Sequence, residues 1–230
     1  MKILIGVLAN DEGGYGKMVE ACRETCYSDI PDDVEVFYIY GRRAGVETPD
    51  DYRLEGDCFY NNSSESRNNL IYKTISFFEY CYHNLDFDYI FRTNCGSYVD
   101  LNILKSEIQN LPKENVYYGI ESFVKNIKYA SGSGFLLSRD VVKFIVEKRQ
   151  NILLPGQSGF VMDDVSIGKL LTQEAGLKVL PGAKRKNLIL SEILDEKFQI
   201  DEECYHYYFR HSIEPKCLYE LHKKKVGLEK

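Results

Sequence analysis

The sequence predicts a single α/β domain with a mostly parallel central sheet flanked by helices. Residues 2–9 form an apolar, β-branched run that is followed at once by Asn, Asp and two glycines, as is typical of a buried first strand that opens into a loop. A helical pattern at 16–28 and a second apolar run at 34–40 come next. A strand–helix–strand unit places its two strands parallel. Because 230 residues suit one α/β core, we expect residues 1–230 to be one domain.

The rest of the chain continues the alternation of strands and helices. A loop rich in Gly, Asp and Asn is expected over 41–66, and the apolar spacing of Asn69–Asn84 predicts a helix with one buried face. The glycine-rich segment Ala130–Gly134 is expected to separate two strands. Further strands are expected at 89–92, 116–119, 135–138 and 177–180, further helices at 101–110, 139–150 and 163–175, and an extended piece at 204–211.

Charge and hydropathy exclude several classes of function. The formal net charge of -6 argues against binding to a nucleic-acid backbone, so we expect no nucleic-acid partner. No run of eighteen apolar residues occurs, and the N-terminus becomes polar after seven apolar-rich positions. We therefore expect no membrane span and a cytoplasmic location, in the host cytoplasm if the source is a virus.

The seven cysteines form neither a disulfide framework nor CxxC metal pairs. Cys22 and Cys26 have the i, i+4 spacing of a helical metal clip, but no second pair completes four ligands. We expect reduced thiols that pack as small hydrophobic side chains.

Four segments carry chemistry-bearing residues, and each also has a purely structural interpretation. The buried strand before Asn94 runs out into small polar residues, and such strand ends form sites in α/β sheets, although Asn, Gly and Ser are also common in turns. The glycines of Ser131–Gly134 would let a backbone approach a sugar or phosphate, or simply form a flexible turn. Neither GxGxxG nor GK[ST] occurs, which argues against an oxidoreductase with a dinucleotide fingerprint.

The third segment places Asp163 and Asp164 directly before a predicted helix. One carboxylate could cap that helix. A cap needs only one, so the second would be free to take a proton from an acceptor hydroxyl as a general base. The tail with His206, Arg210 and His211 offers groups that could meet the charge of a leaving diphosphate, or it is an ordinary edge strand with alternating side chains.

In their order along the chain, these segments resemble the GT-A nucleotide-sugar glycosyltransferases, most closely the β1,3-galactosyltransferase and fringe-like group and small microbial or viral sugar transferases. An NLxxKT-like helix segment, Asn69–Thr74, precedes the strand that ends at Asn94. An SGxG segment, Ser131–Gly134, follows, and then an acidic pair with V, two residues and G at Asp163–Gly168. The resemblance covers residues 1–211.

The resemblance implies a Rossmann-like GT-A fold with a mixed, mostly parallel sheet, in a hexosyltransferase of glycan biosynthesis. Such an enzyme moves a sugar from a nucleotide-sugar donor, a UDP-sugar in that group, to a glycan acceptor hydroxyl. Asp164 matches the catalytic base of an inverting enzyme, and Asp163 is its acidic neighbour. The expected donor-binding residues are Ala9, Asn10, Asp11, Arg42, Arg67, Lys73, Arg92, Asn94, Gly132, Ser133, Gly134 and Arg210.

The sequence departs from the group at the metal-binding DxD motif, which is replaced by Asn94-Cys95-Gly96. Mn²⁺ or Mg²⁺ would then depend on Asn94, Ser97 and His211 together with the donor diphosphate, or Arg and Lys would replace the metal. A retaining transferase of the same fold and a catalytically inactive protein that binds nucleotide-sugars or glycans both stay open as alternatives. Other glycosyltransferase domains or enzymes are conceivable partners.

Overall fold

The structure is a computed structural model that describes residues 1–41, 52–66, 69–153, 162–209 and 213–227. Seven strands of the described residues form one sheet, and three short strands form a second. The ten strands are β1 Ile3–Leu8, β2 Val34–Tyr40, β3 Tyr52–Glu55, β4 Cys58–Asn61, β5 Tyr89–Asn94, β6 Ser97–Val99, β7 Tyr117–Val124, β8 Ile127–Ser138, β9 Arg185–Asn187 and β10 His206–Tyr208. The large sheet has the order β3-β4-β2-β1-β5-β8-β7, and the small one the order β6-β10-β9.

The large sheet is mixed but mostly parallel. β4, β2, β1 and β5 are parallel neighbours, whereas β3 and β8 run in the opposite direction. β7 is antiparallel to β8 and therefore has the direction of β5, so five of the seven strands point the same way. The predicted α/β class and the predicted parallel pairing of the first two strands are confirmed.

Helices cover both faces of the large sheet. They are α1 Tyr15–Glu24, α2 Leu70–Asn84, α3 Leu101–Ile108, α4 Arg139–Glu147, α5 Arg149–Leu153, α6 Asp163–Lys169, α7 Leu190–Ile193 and α8 Lys216–Lys225, with a π-helical turn at Leu170–Glu174 after α6. One core contains buried residues of α1, α3, α8 and the small sheet, and the other contains those of α2, α4 and α6. Among the described residues, every helix is too short or too polar to cross a bilayer.

The expected loop at 41–66 is wrong for its described second half, which is a β-hairpin. β3 and β4 pair antiparallel, and Gly56 between them has a φ of 59°, a left-handed conformation that favours glycine. β4 pairs with β2 and buries Phe59 and Tyr60, so that β3 forms the edge of the sheet. The polar composition of the segment hid this short strand, because only two of its side chains are large and apolar.

The expectation that Ala130–Gly134 separates two strands is also wrong. β8 runs through these residues, and the chain turns earlier, beyond Val124, with Lys125 at a φ of 53°. The pairing of β7 with β8 shifts register between Gly119 and Glu121, opposite this glycine-rich segment. The glycines therefore mark an irregularity inside a long strand, a known alternative to a turn.

The C-terminal third differs most from the sequence prediction. The expected strand at 177–180 is reduced to a single bridge from Leu180 to Tyr118, and the extended piece at 204–211 contains the three-residue β10. β6, β9, α7 and α8 were not predicted. The two strands have three residues each and the helix α7 has four, which is too short for a periodic pattern.

The seven cysteines are all free thiols. Six of them are buried, and Cys58 on β4 is partly exposed. Cys22 and Cys26 pack in the core of the α1 face, where their thiols donate to the carbonyls of Cys95 and Cys22 at 3.4 and 3.7 Å. The spacing of this pair therefore serves packing within one helical turn.

Candidate functional site

The candidate site lies at the carboxyl ends of β1 and β5, beside the glycine-rich part of β8. Leu8 and Asn94 are in register, so both parallel strands end at the same level. Thr93 pairs with Gly134 of β8, and its hydroxyl donates to the Ser133 carbonyl at 2.8 Å. Ligands of α/β sheets bind at such strand ends.

The helix α6 brings the acidic pair to this place because it packs closely on β8. A Cβ atom at Gly168 would overlap the Cβ atom of Tyr129, so only glycine allows the approach. The helix begins at Asp163, with Met162 as its N-cap residue. Neither aspartate therefore occupies the capping position, and both carboxylates make tertiary contacts instead.

Asp163 connects three elements. Its Oδ2 accepts hydrogen bonds from the Thr74 hydroxyl of α2, at 2.8 Å, and from Nη2 of Arg92 on β5. Arg92 also donates from Nη1 to the carbonyl of Gly132, and its side chain is only 2 % exposed. Both charges are thus paired inside the protein, which makes Asp163 and Arg92 an anchor of the site.

Asp164 contacts only backbone donors among the hydrogen bonds described. Its Oδ2 accepts from the amide of Gly132 at 2.7 Å, and its Oδ1 accepts from the amide of Val165 at 2.9 Å. A Cβ atom at position 132 would lie 2.7 Å from Oδ2, so glycine is required for this contact. Burial, and next the negative charge of Asp163, raise the pKa of Asp164, while Arg92 and the two amides oppose the shift. A carboxylate with a raised pKa is a better proton acceptor near neutral pH.

The two described candidates for metal ligands already have partners within the protein. Oδ1 of Asn94 accepts from the amide of Gly96 at 3.0 Å, and Nδ2 donates to the Gly132 carbonyl at 3.4 Å. Ser97 is buried, and its Oγ lies 3.0 Å from Nε2 of His206. Within the described ranges, no group of three His, Cys, Asp or Glu side chains could hold a metal ion. These side chains do not fit a divalent cation that prefers carboxylate ligands.

Lys73 lies beside the end of β1, where it was predicted to bind the donor. Its Nζ donates to the carbonyl of Ala9 at 2.7 Å and to Oε2 of Glu65 at 2.8 Å, and burial lowers its pKa against the opposing charge of Glu65. The other oxygen of Glu65 accepts from the amide of Gly41 at 2.5 Å. Lys73 therefore joins the ends of β1 and β2 to the segment before α2.

The two residues after Ala9 lie closer to solvent. Oδ1 of Asn10 accepts a hydrogen bond from the amide of Glu12 at 2.8 Å in a short turn, and Asp11 is exposed. Ser133 is buried, and Gly134 lies against His206 and Phe91. Arg42, Arg67, Arg210 and His211 lie outside the described residues, so their predicted roles stay predictions.

Arg185 on β9 belongs to the site but was not predicted. Its Nη1 donates to the hydroxyls of Ser131 and Ser133 at 2.8 and 2.5 Å, and its guanidinium carbon lies 5.9 Å from the ring centre of Tyr208. In the sequence, Lys184-Arg185-Lys186 has the pattern of a solvated basic run, and nothing in it distinguishes the middle residue.

Comparisons with known proteins give one distant curated relative. A segment of 152 residues is 24% identical to the hydroxyproline O-galactosyltransferase GALT6 of Arabidopsis thaliana. The match covers 57% of this chain and 22% of that protein, so it spans about a fifth of the relative's length. No family model matches the chain.

Two solved structures are similar in outline. An active-site mutant of LgtC has a TM-score of 0.49 and 10% identity over 96% of this chain and 95% of its own. The apo form of the glycosyltransferase GlyE of Streptococcus pneumoniae has a TM-score of 0.48 and 11% identity, over 79% of this chain and 45% of its own. With TM-scores below 0.5, both likenesses leave the function to be inferred from the side chains themselves.

Proposed function

We propose that the protein is a glycosyltransferase that moves a sugar from a nucleotide-sugar donor to an acceptor hydroxyl, with Asp164 as the general base. The observation that carries the proposal is that the two adjacent buried aspartates have different partners. Asp163 is neutralised by Arg92, whereas the hydrogen bonds of Asp164 within the described part of the chain go to two backbone amides and to no cationic side chain. The distant galactosyltransferase relative supports the same reaction class.

The chemical step transfers one group and one proton. The acceptor oxygen forms a bond to the anomeric carbon, and the bond from that carbon to the diphosphate oxygen breaks. The bonding electrons leave with the nucleoside diphosphate, and the hydroxyl proton passes to a carboxylate oxygen of Asp164. Attack from the face opposite the leaving group inverts the anomeric centre. A UDP-sugar is the proposed donor, because the group that the sequence resembles uses it.

Asp164 suits the role of the base better than Asp163. Each oxygen of Asp164 accepts one described hydrogen bond, and a carboxylate oxygen has two lone pairs, so each retains capacity for the acceptor proton. Oδ2 of Asp163 already binds both Thr74 and Arg92. Asp163 is also the counter-charge of the buried guanidinium of Arg92, and a buried charge without its counter-charge is costly.

We propose that protein groups, and not a protein-bound metal ion, stabilise the leaving diphosphate. The end of β5 offers Asn94 and the start of β6 offers Ser97, and the side-chain oxygens of both already have partners. Developing negative charge in a transition state must meet cationic side chains or backbone amides in such a site.

The test is the substitution Asp164→Asn. We expect turnover to fall by about two to four orders of magnitude, because the positioned base is lost, while the dissociation constant of the donor changes little. The Asn amide must point one N–H group towards a backbone amide, so we also expect a loss of stability of about 1–3 kcal/mol. Assays are therefore run well below the melting temperature of each variant. Asp86→Asn is the matched control, because the Asp86 side chain is 97% exposed.

The pH dependence gives an independent readout of the same residue. Transfer needs ionised Asp164, whose pKa is raised above the ordinary value of 3.8, so kcat/KM should fall as the pH falls through that raised pKa. The residual activity of Asp164→Asn should lack this acid limb. Unchanged turnover in the variant, or a product that retains the anomeric configuration, would remove Asp164 from the role of base. Tight donor binding without turnover in the wild type would favour the inactive binding protein.

A further inference from the structure

A short part of β8 lies outside the regular pairing of the large sheet. β8 pairs with β5 over residues 134–138, and with β7 over 135–137 and again over 127–130. Within the described sheet, residues 131–133 are therefore in register with neither neighbouring strand. Because the hydrogen-bond ladder is interrupted here, side-chain contacts have to position this part of the backbone.

Gly132, in the middle of this segment, is held by side chains at both of its polar atoms. Its amide donates to Oδ2 of Asp164 at 2.7 Å. Its carbonyl accepts from Nη1 of Arg92 and, at the longer distance of 3.4 Å, from Nδ2 of Asn94. One glycine thus connects the guanidinium of Arg92 to the carboxylate of the proposed base.

Arg92 is fixed firmly enough to act as the support for Gly132. Its Nη2 binds Asp163 while its Nη1 binds Gly132, and its guanidinium carbon lies 5.6 Å from the ring centre of Phe135. A planar guanidinium holds its donors in a rigid fork, so one position of Arg92 meets both partners. A lysine ammonium is a compact charge, which could replace the cation opposite Asp163 but not the fork.

The contact with Gly132 ties the base to the sheet. Oδ1 of Asp164 accepts from the amide of Val165, which is the next residue of the same helix and moves with it. The amide of Gly132 belongs to another element, so this contact sets where Oδ2 lies relative to the strand ends. A general base must lie within hydrogen-bond reach of the proton that it takes, so the orientation of this carboxylate matters for turnover.

We propose that Arg92 is a positioning residue, which holds the backbone of Gly132 so that the carboxylate of Asp164 is oriented to receive the acceptor proton. This role rests on the proposed function. It differs from neutralisation of Asp163, for which a positive charge at position 92 is enough.

The first test is Arg92→Lys, which keeps a cation opposite Asp163 and removes the fork. Release of nucleoside diphosphate from UDP-galactose, UDP-glucose and GDP-mannose, with water as the acceptor, gives kcat and KM. We expect kcat for the preferred donor to fall about ten- to hundredfold, because the base is misplaced, while KM and the dissociation constant of the diphosphate stay within about threefold. The calorimetric stoichiometry of diphosphate binding gives the folded fraction of each variant.

A double-mutant cycle on kcat then tests the route through Gly132. Gly132→Ala leaves Arg92 in place but puts a Cβ atom 2.7 Å from Oδ2 of Asp164, which displaces the carboxylate. If Arg92 acts through this contact, Arg92→Lys should lower the kcat of Gly132→Ala by less than about threefold, whereas independent effects would multiply. A loss that only reflects unfolded protein would lower the binding stoichiometry instead.

Arg139→Lys is the matched control, because Arg139 also binds two groups at once. It donates to the carbonyls of Leu85 and Tyr82 at 3.0 and 3.3 Å. Its kcat should equal that of the wild type. A wild-type kcat in Arg92→Lys, or full multiplication of the two losses in the cycle, overturns the positioning role. If Asp164→Asn loses turnover while Arg92→Lys keeps it, only this inference fails. If Asp164→Asn turns over normally, or the wild type releases diphosphate from none of the donors, the proposed function fails with it.

Discussion

The imidazole of His206 is enclosed between Phe91 and Tyr205 and shares a hydrogen bond with Ser97. Its pKa in the folded protein is about 3, against an ordinary value of 6.5. Below pH 6.5 the unfolded chain therefore binds a proton at this residue that the folded protein does not bind. Its contribution to stability is complete above pH 6.5 and is lost progressively as the pH falls towards 3.

We expect the free energy of unfolding of the wild type to decrease on acidification by up to about 1.4 kcal/mol per pH unit more than that of His206→Gln. Urea denaturation between pH 7 and pH 4.5 measures both slopes, and the difference of slopes is independent of the packing that the substitution disturbs. His83→Gln is the control substitution, because His83 is exposed on α2. Identical slopes for wild type and His206→Gln would show that His206 takes up its proton in the folded state.

At this scale, residue types were more predictable than residue roles. The sequence singles out Asp163 and Asp164, because two adjacent carboxylates before a helix exceed what capping needs. Which of the two is neutralised depends on Arg92, which is 71 positions away in the sequence and belongs to another element. Arg185 could not be identified, since its partners Ser131 and Ser133 lie on β8, 54 and 52 positions away in the sequence.

The elements β5, α2 and α6 meet at one buried ion pair. Arg92 belongs to β5, Asp163 to α6, and Thr74 of α2 donates to the same carboxylate oxygen. A buried ion pair contributes little to stability compared with apolar packing, but loss of one partner leaves the other charge buried and unpaired. The three elements are thus held in register by an interaction that is sensitive to either single substitution.

A double-mutant cycle measures this coupling. We expect Arg92→Met and Asp163→Leu each to lower the free energy of unfolding by about 3–5 kcal/mol, because each leaves an unpaired buried charge. The free energy of unfolding of the double variant should fall by less than the sum of the two single losses, and the difference should be about 1–3 kcal/mol or more. Urea denaturation of the four proteins gives the values. The exposed pair Arg53 and Glu55 on β3 serves as the control cycle and should couple by less than about 1 kcal/mol. Strict additivity at Arg92 and Asp163 would contradict the buried pairing.

Element prediction succeeded where periodic patterns were long. β1, β2, β5 and α2 lie close to the expected positions, since each carries an uninterrupted apolar run or one apolar face. The glycine-rich part of β8 was misassigned as a separator, because glycine usually interrupts a strand and β5, whose Thr93 pairs with Gly134, is distant in sequence. The small sheet could not be predicted, because each of its strands has only three residues and the strands meet only in the folded protein.

For the molecule as a whole, the fold class was predictable because strand–helix alternation constrains the topology strongly. The sheet order brings the ends of β1 and β5 together, and this places residues near position 9 and residues near position 94 at one rim. The identity of the donor could not be predicted in this way, because it depends on side chains that come together from distant parts of the sequence.

A ligand screen tests the whole-molecule interpretation. We expect UDP or GDP, but not CMP or NAD, to raise the melting temperature. At a ligand concentration about 100 times Kd, the free energy of unfolding rises by about 2.7 kcal/mol. For a chain of this size that corresponds to about 5–10 °C. Each nucleotide is measured with and without Mn²⁺, and a larger shift with Mn²⁺ would indicate that the diphosphate recruits the cation. Stabilisation by NAD alone would contradict the transferase proposal.

The distribution of the thiols has a practical consequence for experiments on the intact protein. Alkylating reagents attack the thiolate, and burial raises the pKa of Cys81 and takes that of Cys95 to about 12. Partial burial and Asp57 also raise the pKa of Cys58 on β4, but this is the partly exposed thiol among seven and so the one that a reagent can reach. A brief exposure to iodoacetamide should thus alkylate folded molecules at one cysteine and unfolded molecules at several cysteines. Counting the added masses would report the fraction of opened molecules directly, even in a crude extract.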